Sequence, residues 1–139
     1  MNIVKYNNFN ILNFKISDNK LLYLDEEFNI QSPVISEYSI INHNENKYIE
    51  VKFNYSKSHR ILLELIKSLE DYLDTGKTQM ITDILNNTSI KFKINNDTLI
   101  FNKNHDEIKL PTNNTIIILF KINYKNNKYN LSIVQLLEI

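Results

Sequence analysis

The sequence predicts a mainly β fold with one long helix, built as an OB-fold-like small antiparallel barrel. Three observations carry this: many short strand-like segments divided by Asn- and Asp-rich turns, one amphipathic helix in mid-chain, and no alternation of strands with helices such as a parallel α/β fold requires. No repeat, Pro/Ser-rich linker or long charge block divides the 139 residues, so residues 1–139 are read as one domain.

In chain order, residues 6–16 and 21–24 read as short strands around the turn Ser17-Asp18-Asn19, and residues 34–42 as a third strand set off by Pro33. Residues 47–55 alternate cleanly. Ile49, Val51, Phe53 and Tyr55 fall on one face and Tyr48, Glu50, Lys52 and Asn54 on the other, the period of a strand with one buried side. The polar cluster at 42–46 joins this pair as a hairpin. Ser56 or Ser58 then caps a helix whose Ile61, Leu62, Leu65, Ile66, Leu69, Tyr72 and Leu73 keep i, i+3/i+4 spacing up to Thr75-Gly76. Its other positions, Arg60, Glu64, Lys67, Glu70, Asp71 and Asp74, mix charges as a solvated face does. Residues 80–85 are ambiguous. Segments 89–94, 98–102 and 107–110 read as short strands, and 115–123 with 129–139 as a long closing hairpin turned by 125–128.

Composition limits the chemistry. With no Cys there is no disulfide, thiolate zinc site, iron–sulfur cluster or cysteine nucleophile. The chain has 23 Asn, 22 Ile and 15 Lys but no Ala and a single Arg, the signature of an AT-rich genome, which lowers the weight of any one Lys, Asn or Tyr. Such bias is common in large DNA viruses and in some protozoa and bacteria. Sixteen basic residues balance sixteen acidic ones, so any nucleic-acid site must be a local patch. Residues 1–14 lack a secretory pattern and the longest apolar run, 115–120, is too short to span a membrane, so an intracellular, non-secreted protein without a membrane partner is expected.

No catalytic constellation stands out, and no enzyme is expected. His105-Asp106-Glu107 lies in an Asn-rich connection and reads as a polar turn rather than a metal site, since His43 and His59 are distant in sequence. Thr75-Gly76-Lys77-Thr78 lacks the upstream glycine and preceding strand of a phosphate-binding loop and reads as a helix end. The acidic pairs Glu26-Glu27 and Glu70-Asp71 have polar neighbours and no sign of acid–base pairing. No metal or organic cofactor is implied.

Single-strand binding needs aromatic rings to stack on bases and cations to follow the phosphates. The chain offers such parts. Lys91 and Lys93 alternate with Ile90, Phe92 and Ile94, and Tyr48 and Lys52 lie on the outward side of their strand. Lys121, Tyr124, Lys125, Lys128 and Tyr129 cluster around the last hairpin, where residues 111–139 carry three Lys against one Glu. The bland alternative is that Tyr and Lys protect strand edges and hairpin tips.

The order of segments adds a resemblance. Ile30-Gln31-Ser32-Pro33, a strand, a turn, Tyr48-Ile49-Glu50-Val51-Lys52-Phe53 and the helix ending at Leu73 resemble the N-terminal half of the single-stranded-DNA-binding proteins of large nucleocytoplasmic DNA viruses, which are similar in fold to the OB-fold single-strand binders of short-tailed phages. The stretch 120–136, with Tyr124, a polar turn, Lys128-Tyr129-Asn130-Leu131-Ser132 and Val134-Gln135, resembles their final hairpin. Asn130 stands where that pattern commonly has glycine, and Tyr124 where it often has Trp. The ending Leu137-Glu138-Ile139 has one acid in place of the phage proteins' acidic tail, so recruitment of partners through such a tail is not expected.

The resemblance implies a non-enzymatic protein that coats single-stranded DNA in replication, recombination or repair, with Lys121, Tyr124, Lys128 and Tyr129 lining the groove. Its setting, if viral, is the host cytoplasm or virus factory. Replication proteins are candidate partners, and strand edges in such folds often pair between subunits, which allows a homodimer. The competing expectation is a structural or protein-interaction module, such as a small virion component, which the zero net charge favours.

Overall fold

The computed structural model describes residues 2–54, 56–73, 81–84, 87–110, 114–125 and 128–139, with the backbone alone for 81–84, 87, 125 and 128. Strands β1 (Asn2–Lys5), β4 (Phe28–Gln31), β5 (Tyr38–His43), β6 (Asn46–Lys52), β7 (Ile81–Ile84), β8 (Asn87–Phe101), β9 (Ile116–Lys125) and β10 (Lys128–Glu138) form one sheet in the order β1-β4-β9-β10-β8-β6-β5, with β7 on β8. Strands β2 (Phe14–Ser17) and β3 (Lys20–Tyr23) form a separate two-stranded arm. Helix α1 (Lys57–Leu73) is the single α-helix among the described residues, and the fold is mainly β and OB-like, with a sheet that does not close into a barrel. Two pairings, β1 with β4 and β8 with β10, are parallel.

The core lies between one face of the sheet and α1. The helix contributes Leu62, Leu65, Ile66, Leu69 and Leu73, at the spacing that puts them on one stripe, against Ile49, Val51, Ile90, Phe92, Ile118, Phe120, Leu131, Ile133 and Leu136. Ser56 starts the helix: its carbonyl accepts from Arg60 N and its hydroxyl from His59 N. His59, 3% exposed, ties this first turn to the chain before β5, its Nδ1 accepting from Asn54 N–H and its Nε2–H donating to the Val34 carbonyl at 3.1 Å. Phe9, Phe14, Tyr23 and Phe28 pack at the arm's base, with Phe14 edge-on to Tyr72 of α1 at 5.0 Å.

The hairpins turn where the sequence is polar. Asn44 and Glu45 (φ 49° and 68°) make the two-residue turn between β5 and β6, and Asp18 and Asn19 (φ 50° and 64°) that between β2 and β3. Beyond β4, Ser32 follows β9. Its N–H donates to the Ile118 carbonyl at 2.8 Å and its hydroxyl accepts from Ile118 N–H at 2.9 Å, after which Ile35 bridges Ile116.

Several expected strands differ. Most of 6–16 is two 3-10 turns, Tyr6–Asn8 and Ile11–Asn13, and in the second an asparagine competes with the ladder: Asn10 Oδ1 accepts from Leu12 N–H. Segments 89–94 and 98–102 are one strand, which leaves register with β10 over 95–98. Thr98 Oγ1 spans that gap, accepting from Asn95 N–H and donating to the Ile133 carbonyl. Residues 107–110 form no strand; Glu107 makes a single bridge to Phe101 after a turn in which Asn102 Oδ1 accepts from Asn104 and Asp106 N–H. Short β1 and β4 were not expected, and the expected helix end at Thr75-Gly76 lies outside the described residues.

Candidate nucleic-acid interface

Register sorts the expected site residues by face. Tyr48 pairs with Lys93, Lys93 with Ser132, and Ser132 with Lys121, so one row crosses β6, β8, β10 and β9. Side chains opposite one another across a sheet share a face. The alternate residues Ile49, Phe92, Ile133 and Phe120 are buried in the core, so the row points outward, away from α1. One further pair along, Glu50 lies opposite Lys91, and beyond it Lys52 opposite Ser89. Across β6, β8 and β9 the outward face therefore gathers Tyr48, Lys52, Lys91, Lys93 and Lys121, four lysines beside the carboxylate of Glu50, while Lys5 faces outward on the far edge strand β1. None of these lysines forms an ion pair among the described residues. Lys52, Lys91 and Lys121 are exposed, and Tyr48 and Lys93 half-buried.

Polar side chains bind this face together. Asn123 Nδ2 donates to Asn130 Oδ1 at 2.8 Å and to the Ser132 hydroxyl, fixing the amides between the lysines. Ser132, 1% exposed, lies between Lys93 and Lys121 in the row, too small to rise above them.

The two hairpin tyrosines lie elsewhere. Tyr124 pairs with Tyr129, and both are on the α1 side with Ile122, Leu131, Ile133 and Phe120. Tyr129 is 4% exposed and a core residue, which corrects its expected place in the groove: it lies three positions from outward Ser132 on the same strand, an odd step, so alternation sends it inward. Tyr124 packs against the core's margin and also lines a cleft beside β9. The backbones of Lys125 and Lys128 pair with each other at the hairpin's end, and their side chains lie outside the described residues.

The cleft, about 450 Å³, opens where β4 parts from β9. Those strands pair only at Ile30–Phe120 and Gln31–Leu119, and the β2–β3 arm forms the opposite wall. Lys20, Asn19 and Glu27 line it and were not singled out in the sequence; nothing in the spacing of 14–29 signals that the arm folds back toward β9. At the other end of the outward face, Ile3, Ile117, Leu119 and Leu137 line a smaller apolar groove of about 200 Å³. No group of three or more His, Asp or Glu among the described residues is arranged to hold a metal ion. No helix among them is long and apolar enough to cross a membrane.

The sheet is open and OB-like, and its outward face carries lysines on interior strands. Among solved structures, the chain is similar to the single-stranded DNA-binding protein from bacteriophage Enc34, at 12% identity and TM-score 0.57 over 89% of this chain and 86% of that one. It is also similar to a C-terminal truncation of that protein, at 10% identity and TM-score 0.55 over 89% and 91% of the respective chains. These likenesses establish the shared fold. No protein-family model matches the sequence, and none of the curated proteins matches it.

Proposed function

We propose that this protein binds single-stranded DNA, without sequence preference and without catalysing a reaction, across the outward face of its sheet. The observation that carries the reading is the row Tyr48–Lys93–Ser132–Lys121, which brings an aromatic ring and two lysines from three separate strands into line, beside Lys91 and Lys52. At about 4.8 Å between strands the row spans about 14 Å, the reach of about four phosphates at duplex spacing and fewer in a stretched strand. Tyr48 supplies the stacking surface and the lysines pair with phosphates, the combination that binds single strands with little regard to sequence. The name of the similar phage protein supports the same ligand. Work in replication, recombination or repair, and kinship with the proteins of large nucleocytoplasmic DNA viruses, follow from the sequence resemblance.

The test is fluorescence anisotropy of labelled oligo(dT) at two salt concentrations, with duplex as competitor. Saturable, salt-sensitive binding that duplex does not displace supports the reading, and absence of binding at low salt overturns it. The apolar groove of Ile3, Ile117, Leu119 and Leu137 favours a second reading, a protein-interaction module. In that case Lys121→Glu combined with Lys128→Glu leaves the protein complex intact.

A further inference from the structure

We infer that the cleft between the β2–β3 arm and β9 takes one nucleotide of the bound strand, unstacked from its neighbours, with a base that carries an exocyclic amine. The inference rests on the single-strand reading above and adds to it a second, half-open subsite, which sets a base preference at one position within binding that is otherwise tolerant of sequence. At about 450 Å³ the cleft falls within the size of small-molecule sites. It is continuous with the outward face, because Lys121 both ends the row and lines the cleft. A strand following the row is thus delivered to its mouth.

The lining matches a nucleotide part by part. Lys20 on the arm and Lys121 on β9 stand on opposite walls and suit the phosphates on either side of the unstacked unit. Ile122, Phe28 and the Tyr124 ring give apolar surface for the base plane, as unstacked bases are commonly received. Beside the amides of Asn19 and Asn29, the polar edge carries two acceptors. Glu27 offers its carboxylate, and Asn123, whose amide nitrogen is committed to Asn130 and Ser132, is left with its carbonyl oxygen. Acceptors suit the amino groups of cytosine and adenine, whereas thymine presents an oxygen at that position.

The experiment combines a mononucleotide, too short to reach from the cleft to Tyr48, with oligonucleotides. Amide NMR spectra of the full chain are titrated with dCMP and with dTMP, and oligo(dC) anisotropy is measured for wild type, Lys20→Glu and Lys93→Gln. Expected are dCMP-dependent shifts at 19–21 and 121–124, about tenfold weaker binding of dTMP, and about tenfold weaker oligo(dC) binding by Lys20→Glu. Lys20 is exposed, and the spectrum of the variant reports its folding. Oligonucleotide binding that depends on Lys93 but ignores Lys20, with dCMP shifts outside the cleft, overturns the subsite and leaves the single-strand reading standing. Equal affinity for dCMP and dTMP overturns the assignment of the base. No oligonucleotide binding by wild type at low salt overturns both the subsite and the reading it rests on.

Discussion

Replacing Lys93 by Gln tests the proposed interface at its centre, because Lys93 lies between Tyr48 and Ser132 on an interior strand and points away from the core. Gln stays polar and is one atom shorter, and the positive charge is removed. Single strands release about 0.7 of a counterion per phosphate contact, so the four outward lysines give a log–log salt slope of about −2.8. Raising salt from about 50 to about 200 mM then weakens binding about 50-fold in wild type and, with one contact gone and a slope of about −2.1, about 20-fold in Lys93→Gln. The assay is anisotropy of labelled oligo(dT) at five or six salt concentrations, with thermal melting as the control for folding. An outward, non-core substitution of this kind shifts stability by about 0.5 kcal/mol at most. A variant that melts normally yet keeps the wild-type slope refutes the placement of the strand on this face.

Three further outcomes follow from the same geometry. Tyr48→Ala lowers oligonucleotide affinity by about 1–3 kcal/mol with little effect on melting, whereas Tyr129→Ala costs about 3–5 kcal/mol of stability; urea titration beside anisotropy separates the two, and equal profiles contradict the assignment of faces. Ser32→Ala strands the buried Ile118 N–H and lowers stability by about 1–3 kcal/mol in denaturant unfolding, while Ser32→Thr, which keeps the hydroxyl, costs less. Glu45→Gly relieves a positive φ in the β5–β6 turn and creates Asn-Gly, the pair that two-residue turns prefer, so it raises stability by about 1 kcal/mol; a lowered melting temperature refutes that reading of the turn.

The parts legible in the sequence were those governed by one strong period. Residues 47–52, the helix stripe from Leu62 to Leu73 and the closing hairpin each bury one face, and alternation or i, i+3/i+4 spacing reports that directly. Alternation also put Tyr48, Lys52, Lys91 and Lys93 on the outward side of their strands. Lys121 and Tyr124 were expected together in the groove, yet they stand three positions apart on one strand, an odd step that places them on opposite faces. What the sequence hid depends on distant partners. Strand β4, Phe28-Asn29-Ile30-Gln31, does alternate, but over only four residues, too short a run to stand out, and it gains its strand character from β1 and β9. In the 3-10 turn of 11–13 the Asn10 side-chain amide competes with the ladder, a contest that apolar spacing does not report.

Codon bias and edge protection both offer a reason for surface lysines, and the distribution on the outward face weighs against each. Away from the strand ends, where Lys47 takes the parity of Ile49, a lysine here must point outward, since the inner face is packed with Ile, Leu and Phe, so outward direction alone carries no functional weight. Position along the face does. The same strands β9 and β10, on the same face, carry Ile117, Leu119, Gln135 and Leu137 at one end and Lys121, Asn123, Asn130 and Ser132 at the other. A genome-wide bias toward Lys and Asn acts on both ends alike and does not divide them. Edge protection fails for a different reason: Lys52, Lys91 and Lys93 stand on β6 and β8, which are flanked on both sides, so they shield no open ladder. What remains is a charged half-face supported by interior strands, with Tyr48 of β6 at one end of its row and the cleft at the other, and it is this uneven distribution on which the proposed strand binding rests.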